Sequence, residues 1–379
     1  AVLWLCFTTT ACALVSVEAA VLFGYALAPV VWLIETIARL VAQVPFSHLR
    51  LTGPSPAAVA TYWAAVLLCV VAWRTRLRRA WLAWGISVAV ALLFWWYPGN
   101  LEPMVAFLDV GHGDACFVRT PGQNTFLVDA GYAGERRDTG AQVVAPFLLS
   151  HHVRKLDYVF ISHADADHIG GAQAVLDALP VGCVVLGPIA SEREAERALL
   201  AQCTRKDIPV RRVARGDEIS LAGARMEVLH PPRDWPTGYS LNDGSLVCRL
   251  SWPGMDVLFT GDIEEAAEAA LAPALSGVAL LKVPHHGSRT SSSLRFVEAA
   301  HPAFCVVSTG GAFGREGVAL EVLDRYERIG AEMLRTDLLG GITFTVRDAR
   351  LVYVGARAKR GYGAWAKDGV LSSGHSMVK

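Results

Sequence analysis

The chain has 379 residues, with 35 Lys and Arg side chains against 35 Asp and Glu, so its formal net charge is zero. Hydrophobic residues make up 53% and charged residues 18%, which excludes a disordered chain, a collagen-like repeat and a highly charged protein that coats nucleic acid. The neutral average hides two unlike parts. Residues 1–100 contain six Arg, two Glu and no Lys or Asp, whereas residues 101–379 carry a net charge of −4.

The first hundred residues predict a transmembrane segment. Residues 57–73 and 80–96 are each uncharged over 17 residues, at the short end of what spans a hydrocarbon core of about 30 Å. Trp73 and Trp96 stand at their ends, where aromatic side chains gather at membrane interfaces. Because the chain begins without Met, we expect a fragment or a processed chain with more membrane domain upstream.

Two further apolar stretches precede these spans. Residues 1–17 predict the end of another span, and residues 21–44 predict a helix that faces other helices or lies at the interface. Within that helix Glu35 and Arg39 have the spacing of a surface ion pair.

The loop between the two clear spans predicts their orientation. It carries four basic residues, which the positive-inside rule places in the cytoplasm: Arg74, Arg76, Arg78 and Arg79. The chain then recrosses the membrane, so the domain that follows is expected on the extracytoplasmic side.

From residue 101 onward short β-type runs alternate with helix-type runs. The predicted strands are residues 105–109, 116–120, 125–129, 158–162, 183–186, 225–229, 246–251, 256–260, 280–283, 304–308 and 342–346. The predicted helices are residues 140–150, 171–179, 192–205, 264–271, 293–300 and 318–329. Hairpins mixed with αβ alternations favour a layered α/β domain with mixed sheets over residues 101–355. Residues 356–379 are rich in Gly, Lys and Arg, which predicts a basic, flexible tail.

The sequence HADADH, at residues 163–168, places four potential metal ligands directly after a predicted strand. Imidazole nitrogens and carboxylate oxygens are good ligands for Zn²⁺ and Mn²⁺, and aspartates this close repel each other without cations. The alternative is a solvated acidic loop with incidental histidines.

Three other predicted strands also end in Asp or His, namely at Asp129, at Asp262 and at the pair His285-His286. Four strand ends that deliver such side chains favour a metal centre over the solvated loop.

This ordered set of motifs resembles the metallo-β-lactamase superfamily, whose HxHxDH signature aligns with HADADH. The motifs LDVGHGDA, LNDGSLV, TGD and PHHGS, which begin at residues 108, 241, 260 and 284, resemble the C-terminal domain of ComEC-type DNA-uptake channel proteins. The membrane half is similar to the end of that family's competence domain. The resemblance implies membrane α-helices followed by a four-layer αββα sandwich with two mixed sheets.

The resemblance also implies two divalent metal ions. The ligands expected at the two sites are His163, Asp165 and Asp262 at the first, and Asp167, His168, Asp262 and His286 at the second. Two such cations would activate a water and clamp both oxygens of a phosphodiester displacement. Because Asp165 stands where the superfamily usually has a His, the first site has more oxygen ligands than is usual in that superfamily. Mn²⁺ or Zn²⁺ is expected, with Mg²⁺ as a further alternative.

Asp167, Asp262 and His285 are the expected catalytic residues. Asp167 would orient the water, Asp262 would bridge the metals, and His285 would donate to the scissile phosphate or act as a general acid. The alternative for His285 is a core histidine behind the metal ligands.

Further residues are expected to support the site or the substrate: Asp114, Asp129, Asn242, Asp243, Ser245, Ser288, Arg289 and Arg315. Three of these positions involve departures from relatives. Asn242-Asp243 stand where the superfamily usually has a third His, and Arg315-Glu316 replace a His-Pro pair, so that Arg315 would bind phosphate instead. Ser288 and Arg289 precede a helix start, where they would hold a phosphate or form a capping cluster.

Three functions remain open. The first is a metal-dependent nuclease in a membrane DNA-uptake channel for natural transformation, which processes the strand that is not transported. The second is a membrane-tethered metallo-hydrolase of another ester. The third is a transport subunit that binds DNA without cleaving it. The expected partners are DNA as a single strand or duplex end, membrane lipid and other uptake machinery. The expected location is the bacterial inner membrane, in a multi-pass arrangement.

Overall fold

The computed structural model describes residues 2–42, 56–96, 101–234, 240–310, 317–357 and 360–363. It divides the chain into two compact units, Ala1–Leu51 and Thr52–Lys379. The domain boundaries expected at residues 100 and 355 stay predictions.

The first unit contains two apolar helices, α1 over Val2–Ala13 and α2 over Val17–Ala42. Along α2 the side chains of Leu22, Trp32 and Leu40 are exposed. Arg39 Nη2 lies 3.3 Å from Glu35 Oε2, and both side chains are exposed, which confirms the surface ion pair.

The second unit begins with α3 over Pro56–Thr75 and α4 over Arg78–Trp96, which pack against each other. Ala58, Ala65 and Ala72 recur every seven residues on α3 and are buried, so that small side chains form the contact face. The predicted spans 57–73 and 80–96 lie inside these helices. Among the described residues, two helices are long and apolar enough to cross a membrane, at Val17–Val41 and Pro56–Thr75.

The rest of the unit is built of strands joined by short helices. The strands are β1 Met104–Phe107, β2 Cys116–Arg119, β3 Thr125–Val128, β4 Ala133–Gly134, β5 Arg137–Asp138, β6 Leu156–Ile161, β7 Val181–Leu186, β8 Val210–Arg212, β9 Glu218–Leu221, β10 Ala224–His230, β11 Val247–Trp252, β12 Met255–Phe259, β13 Leu280–Lys282, β14 Phe304–Val307, β15 Glu332–Arg335, β16 Ile342–Arg347, β17 Arg350–Gly355 and β18 Arg360–Gly363.

The helices of this part lie between and after the strands. They are α5 Ala145–Ser150, α6 Ala166–Ile169, α7 Ala172–Ala178, α8 Glu194–Arg205, α9 Glu265–Leu271, α10 Leu294–Ala300, α11 Leu320–Arg328 and α12 Thr336–Leu339. A π-helical turn over Gly140–Val144 leads into α5, and 3-10 turns follow α9 and β13 at Ala272–Ala274 and Pro284–Gly287.

The strands of the described residues form two large mixed sheets and one small hairpin. The first sheet has the order β18-β17-β16-β1-β2-β3-β6-β7-β8, with parallel pairing from β3 to β8 and antiparallel pairing elsewhere. The second has the order β15-β14-β13-β12-β11-β10-β9, with parallel pairing from β12 to β15. Strands β4 and β5 pair as the separate hairpin.

The two sheets face each other across one apolar core. The rings of Phe107 and Phe344 from the first sheet pack with those of Phe259 and Phe304 from the second, with Phe107 and Phe259 centroids 6.3 Å apart. Separate clusters cover the outer faces: α5 and α7 pack on the first sheet, and α9, α10 and α11 on the second. This arrangement confirms the predicted αββα sandwich.

Parallel strands at the centre of both sheets are buried on both faces. All five residues of β12 are buried, as are all three of β13, which explains their nearly continuous apolar sequence. The carboxyl ends of β3, β6, β12 and β13 lead directly into Asp129, His163, Asp262 and His286. These ends are where the candidate site lies.

The end of the described chain holds more regular structure than the sequence predicts. Strand β17 pairs with β16, and β18 pairs with β17, with Arg360 opposite Val354. Part of the stretch expected to be a flexible tail is therefore strand. Residues 364–379 lie outside the described residues.

Candidate metal centre

Three histidines of the site are buried and share one feature at the Nε2 atom. His163, His168 and His286 are at most 8% exposed, and the Nε2 atom of each is buried without a hydrogen bond. Such buried orphan nitrogens are costly unless they bind something, and a metal ion is the usual ligand of neutral imidazole.

The other ring nitrogen of each histidine is held by an oxygen. His168 Nδ1 lies 2.9 Å from Asp129 Oδ2, His286 Nδ1 lies 2.9 Å from the carbonyl oxygen of Ser308, and His163 Nδ1 lies 3.0 Å from Ser162 Oγ. A proton on each Nδ1 satisfies these contacts and leaves Nε2 unprotonated. This is how metal-ligating histidines are oriented.

Two carboxylates complete the cluster. Asp262 Oδ2 lies 3.2 Å from His168 Nε2 and 3.3 Å from His286 Nε2. Asp167 Oδ2 lies 3.4 Å from His286 Nε2 and 3.9 Å from His168 Nε2. These are the four side chains predicted for the second metal site, and their donor set fits a divalent cation.

The residues predicted for the first metal site are less closely gathered. His163 Nε2 lies 3.8 Å from Asp165 Oδ2, while Asp165 Oδ1 lies 3.1 Å from Arg193 Nη2. Arg193 is half exposed at the start of α8 and is not predicted by the sequence motifs. A ligand role for Asp165 would have to use the oxygen that faces His163.

The supporting acid Asp114 does not face the orphan nitrogens. Four ligand atoms from Asp114, His168, Asp262 and His286 do lie within 4.8 Å of one another. However, the oxygens of Asp114 face the Nδ1 atoms, at 3.7 Å from His168 and 3.8 Å from His286. Its Oδ2 atom lies 2.5 Å from Lys282 Nζ. Asp114 therefore sits behind the cluster and Lys282 is its partner.

The charges of the cluster shift its pKa values strongly. Burial alone would lower the pKa of His286, but the carboxylates of Asp262 and Asp114 outweigh it and raise this pKa to about 9. Burial would raise the pKa of Asp262, but His168, His286 and Lys282 hold it well below its usual range. Without a metal the neighbouring carboxylates therefore favour protonated His168 and His286, whereas burial lowers the pKa of His163 to about 4. A cation at the site of His168 and His286 has to replace these protons.

Two predicted supporting residues position Asp262 and His168. Ser245 Oγ accepts a hydrogen bond from the Asp262 backbone N–H at 3.2 Å. Asp129 accepts from the Ser162 N–H and hydroxyl at 2.7 and 2.8 Å, in addition to His168. Gly261 has a φ of +54°, and a Cβ there would meet Ser245 and Ser162, so glycine is needed between them.

Asn242 and Asp243 serve the local fold. The carbonyl oxygen of Asn242 accepts from the Ser245 N–H, and Asp243 Oδ1 accepts from the N–H groups of Glu264 and Ala267 at the start of α9. The carboxylate of Asp243 thus caps this helix. At the position where the superfamily usually has its third histidine, this chain therefore has residues with a structural role.

His285 lies beside the cluster but is held by a different acid. Its Nδ1 atom lies 3.2 Å from Glu264 Oε1, and Thr290 Oγ1 donates to the same oxygen at 2.7 Å. The His285 side chain is 28% exposed, so its Nε2 is the ring atom available to a substrate.

The proposed phosphate position before α10 is already filled. The N–H groups of Ser292 and Ser293 donate to the carboxylate of Glu268, the latter at 2.7 Å. Ser288 Oγ contacts Thr290 Oγ1 at 3.1 Å, and Arg289 is exposed with its Nε 3.7 Å from Glu321 Oε2. Glu268 therefore caps this helix start, and the N-cap residue Ser293 makes no side-chain capping hydrogen bond of its own. Arg315 lies outside the described residues.

Sequence reasoning missed Lys282, Glu264 and Arg193. The lysine does leave a signal, because it interrupts the apolar strand sequence ALLKV just before PHHGS. Glu264 and Arg193 stand at exposed helix starts and have no such signal. Only the folded chain shows what they contact.

We expect Asp129→Asn to weaken Mn²⁺ binding by about 10- to 100-fold, because an amide cannot accept all three hydrogen bonds that hold Ser162 and His168. Calorimetric titration of the purified chain measures this. The matched control is Asp324→Asn on the exposed face of α11, which should bind as the unaltered chain does. Equal affinities for both variants would contradict this role of Asp129.

A second prediction concerns pH. His230 is buried and its Nε2 donates to the carbonyl oxygen of Asp243 at 2.7 Å, and burial lowers its pKa to about 4 from 6.5. The unfolded chain takes up this proton first, so stability present above pH 6.5 is lost as the pH falls toward 4, by up to about 3 kcal/mol. Thermal melting between these pH values should show a shallower pH dependence for His230→Gln than for the unaltered chain. Identical slopes would exclude His230 as the cause.

A family model described as "Metallo-beta-lactamase superfamily" matches residues 108–308, which is more than half of the chain. The chain is 29% identical over 336 residues to "ComE operon protein 3" of Bacillus subtilis, which covers 83% of this chain and 43% of that protein. It is likewise 29% identical over 342 residues to "Competence protein ComA" of Neisseria gonorrhoeae, covering 83% and 46%. The chain thus spans less than half the length of these curated relatives. Their similarity confirms the resemblance to ComEC-type proteins.

Among solved structures, the metallo-beta-lactamase fold protein YhfI from Bacillus subtilis is 14% identical, with a TM-score of 0.40 over 62% of this chain and 96% of that one.

Proposed function

The chain belongs to the metallo-beta-lactamase superfamily, and on that premise we propose that it is the nuclease part of a membrane DNA-uptake protein. One observation carries the proposal: the Nε2 atoms of His163, His168 and His286 are buried without hydrogen bonds beside the carboxylates of Asp167 and Asp262. Such a donor set fits a metal-dependent hydrolase.

Each residue of the candidate metal centre has a proposed role in phosphodiester hydrolysis. Asp167, His168, Asp262 and His286 would hold one divalent cation, and His163 and Asp165 would share Asp262 with a second. Bound cations supply a water activated at neutral pH and neutralise the charge of the phosphate. Asp167 is the least buried carboxylate of the four-residue cluster and would orient the attacking water.

His285 is the proposed general acid. Its Nδ1 faces Glu264, so in the doubly protonated ring the Nδ1–H points to that carboxylate and Nε2–H gives its proton to the leaving oxygen, which leaves a neutral ring. The proton is then recovered from solvent through the exposed side of the ring.

The names of two relatives support DNA as the proposed substrate. One is named for competence and another, 26% identical over 66% of this chain, is "Recombination protein 2" of Haemophilus influenzae. A DNA substrate during uptake accounts for both a phosphodiester-cleaving centre and membrane helices in one chain. Processing of the strand that is not transported is the activity we propose.

A second candidate is hydrolysis of another ester at the membrane. The net charge of −4 over residues 101–379 favours it, because DNA-binding surfaces are normally basic. A subunit that binds DNA without cleaving it is the third.

One assay separates these functions. The purified full-length chain in detergent is stripped with EDTA, reloaded with Mn²⁺ or Zn²⁺, and given single-stranded DNA, duplex DNA or a phosphodiester and lactone panel. We expect cleavage of DNA only after reloading. Metal binding with turnover of the panel alone favours the second candidate, and DNA binding without turnover favours the third.

The extracytoplasmic placement is proposed from four Arg residues at the end of α3, in the turn after it and at the start of α4. An alkaline phosphatase fused after residue 100 should be active in cells, because this reporter folds only outside the cytoplasm. An inactive phosphatase together with an active cytoplasmic reporter at the same point would reverse the placement.

A further inference from the structure

Lys282 is a buried cation in the middle of an apolar sheet. It ends β13, where the two preceding residues are fully buried leucines, and is itself 3% exposed. A lysine in such a place is retained only with partners, because an unpaired buried charge is very costly.

All the described partners of its ammonium lie beneath the metal centre. Lys282 Nζ donates to the carbonyl oxygen of Gly261 at 2.7 Å and to Asp262 Oδ1 at 3.0 Å, and lies 2.5 Å from Asp114 Oδ2. The first two contacts are hydrogen bonds, and the third is an ion pair with the carboxylate of Asp114.

Because of the contact with Lys282, the two carboxylate oxygens of Asp262 have different partners. Oδ1 accepts from Lys282, while Oδ2 faces the Nε2 atoms of His168 and His286 at 3.2 and 3.3 Å. Lys282 also separates two buried carboxylates, Asp114 and Asp262, that would repel each other across a medium of low dielectric.

We propose that Lys282 is a positioning residue of the metal centre, which locks the Asp262 carboxylate so that Oδ2 alone faces the two histidines. The ammonium also balances Asp114 and Asp262 before any metal arrives, so the site is shaped in the metal-free protein. This inference rests on the metal site of the proposed function and is independent of whether the chain cleaves DNA.

The test compares the full-length chain with Lys282→Met, Asp114→Asn and the double variant that carries both changes. Met keeps an unbranched chain of similar volume without the charge. Thermal melting in EDTA reports on folding, and calorimetric titration with Mn²⁺ and with Zn²⁺ reports on affinity.

We expect Lys282→Met to lower the melting temperature in EDTA, because it leaves Asp114 buried without its cation. The double variant removes both charges and should melt closer to the unaltered chain, yet bind metal about 10- to 100-fold more weakly because Asp262 is no longer held. Asp114→Asn alone keeps the Lys282–Asp262 contact and should lose less affinity than the double variant.

A double variant that binds metal as tightly as the unaltered chain would overturn the positioning role and leave only charge balance. An equal loss of affinity in Asp114→Asn and Lys282→Met would assign the effect to Asp114 instead. If the double variant does not fold, Lys282→Met alone decides: a folded chain with unchanged affinity would again overturn the role, whereas binding weaker than that of Asp114→Asn supports it. If the unaltered chain bound neither metal, the metal centre of the proposed function would be refuted. That result is distinct from a failure of the positioning role, in which the unaltered chain still binds metal.

Discussion

Replacing Asp262 by Asn is expected to abolish metal-dependent cleavage of DNA, with a loss of at least about a thousandfold. Oδ2 of this residue lies 3.2 Å from His168 Nε2 and 3.3 Å from His286 Nε2, so it is the carboxylate oxygen nearest to both proposed histidine ligands. Metal-held charge stabilisation is worth several kcal/mol in such sites, which corresponds to about this loss in rate.

The variant is designed to leave the fold intact. Asn has the volume of Asp, and its backbone N–H still donates to Ser245 Oγ. Circular dichroism should therefore match the unaltered chain, while the rate of cleavage at saturating Mn²⁺ falls to background. Asp324→Asn, at an exposed ion pair with Arg328, is the control and should retain full activity. Cleavage by the Asp262 variant within tenfold of the control would contradict the central place of this residue.

The two adjacent histidines of the PHHGS motif should have opposite effects. Both residues have left-handed backbone angles, φ of 46° and 51°, so the turn points their rings in different directions. His286 Nε2 is an orphan inside the cluster, whereas His285 is partly exposed against Glu264. One is expected to bind metal and the other to transfer a proton.

His286→Ala is expected to lose metal binding and activity together. His285→Ala should bind metal normally and lose about 10²- to 10⁴-fold in rate, the usual contribution of a general acid. A substrate with a good leaving group, such as a nitrophenyl phosphodiester, needs little protonation and should restore much of the rate to His285→Ala only. If His285→Ala lost the metal and His286→Ala kept it, the two roles would have to be exchanged.

Much of the fold is predictable because its signals are local. Central strands such as β12 and β13 are continuous apolar runs, and the ends of β3, β6, β12 and β13 carry Asp or His. Parallel strands bring their carboxyl ends to one edge, so the cluster of His168, Asp262 and His286 follows from the order of the motifs.

The strands that the sequence did not predict have weak apolar patterns. Strands β9 and β15 are only partly buried sheet edges, and β18 pairs in a region rich in Gly, Lys and Arg, where composition alone predicts a flexible tail. Their pairing is decided by neighbours in space.

The roles of the supporting residues also cannot be predicted from the sequence. Asp243 occupies a position where a metal ligand is expected, yet its oxygens cap α9. Lys282 looks like an isolated charge in a strand, and only the fold brings it to Asp114 and Asp262. Side-chain partners of this kind are set by packing between the sheets and loops.

The most direct test of a metal-dependent nuclease is a single titration of the EDTA-stripped, full-length chain with Mn²⁺. Bound metal and the rate of DNA cleavage are measured at each step. We expect the rate to rise in proportion to metal bound at the site of His168, Asp262 and His286, and both signals to vanish in His286→Ala. A chain that fills this site while DNA stays intact would contradict the nuclease function.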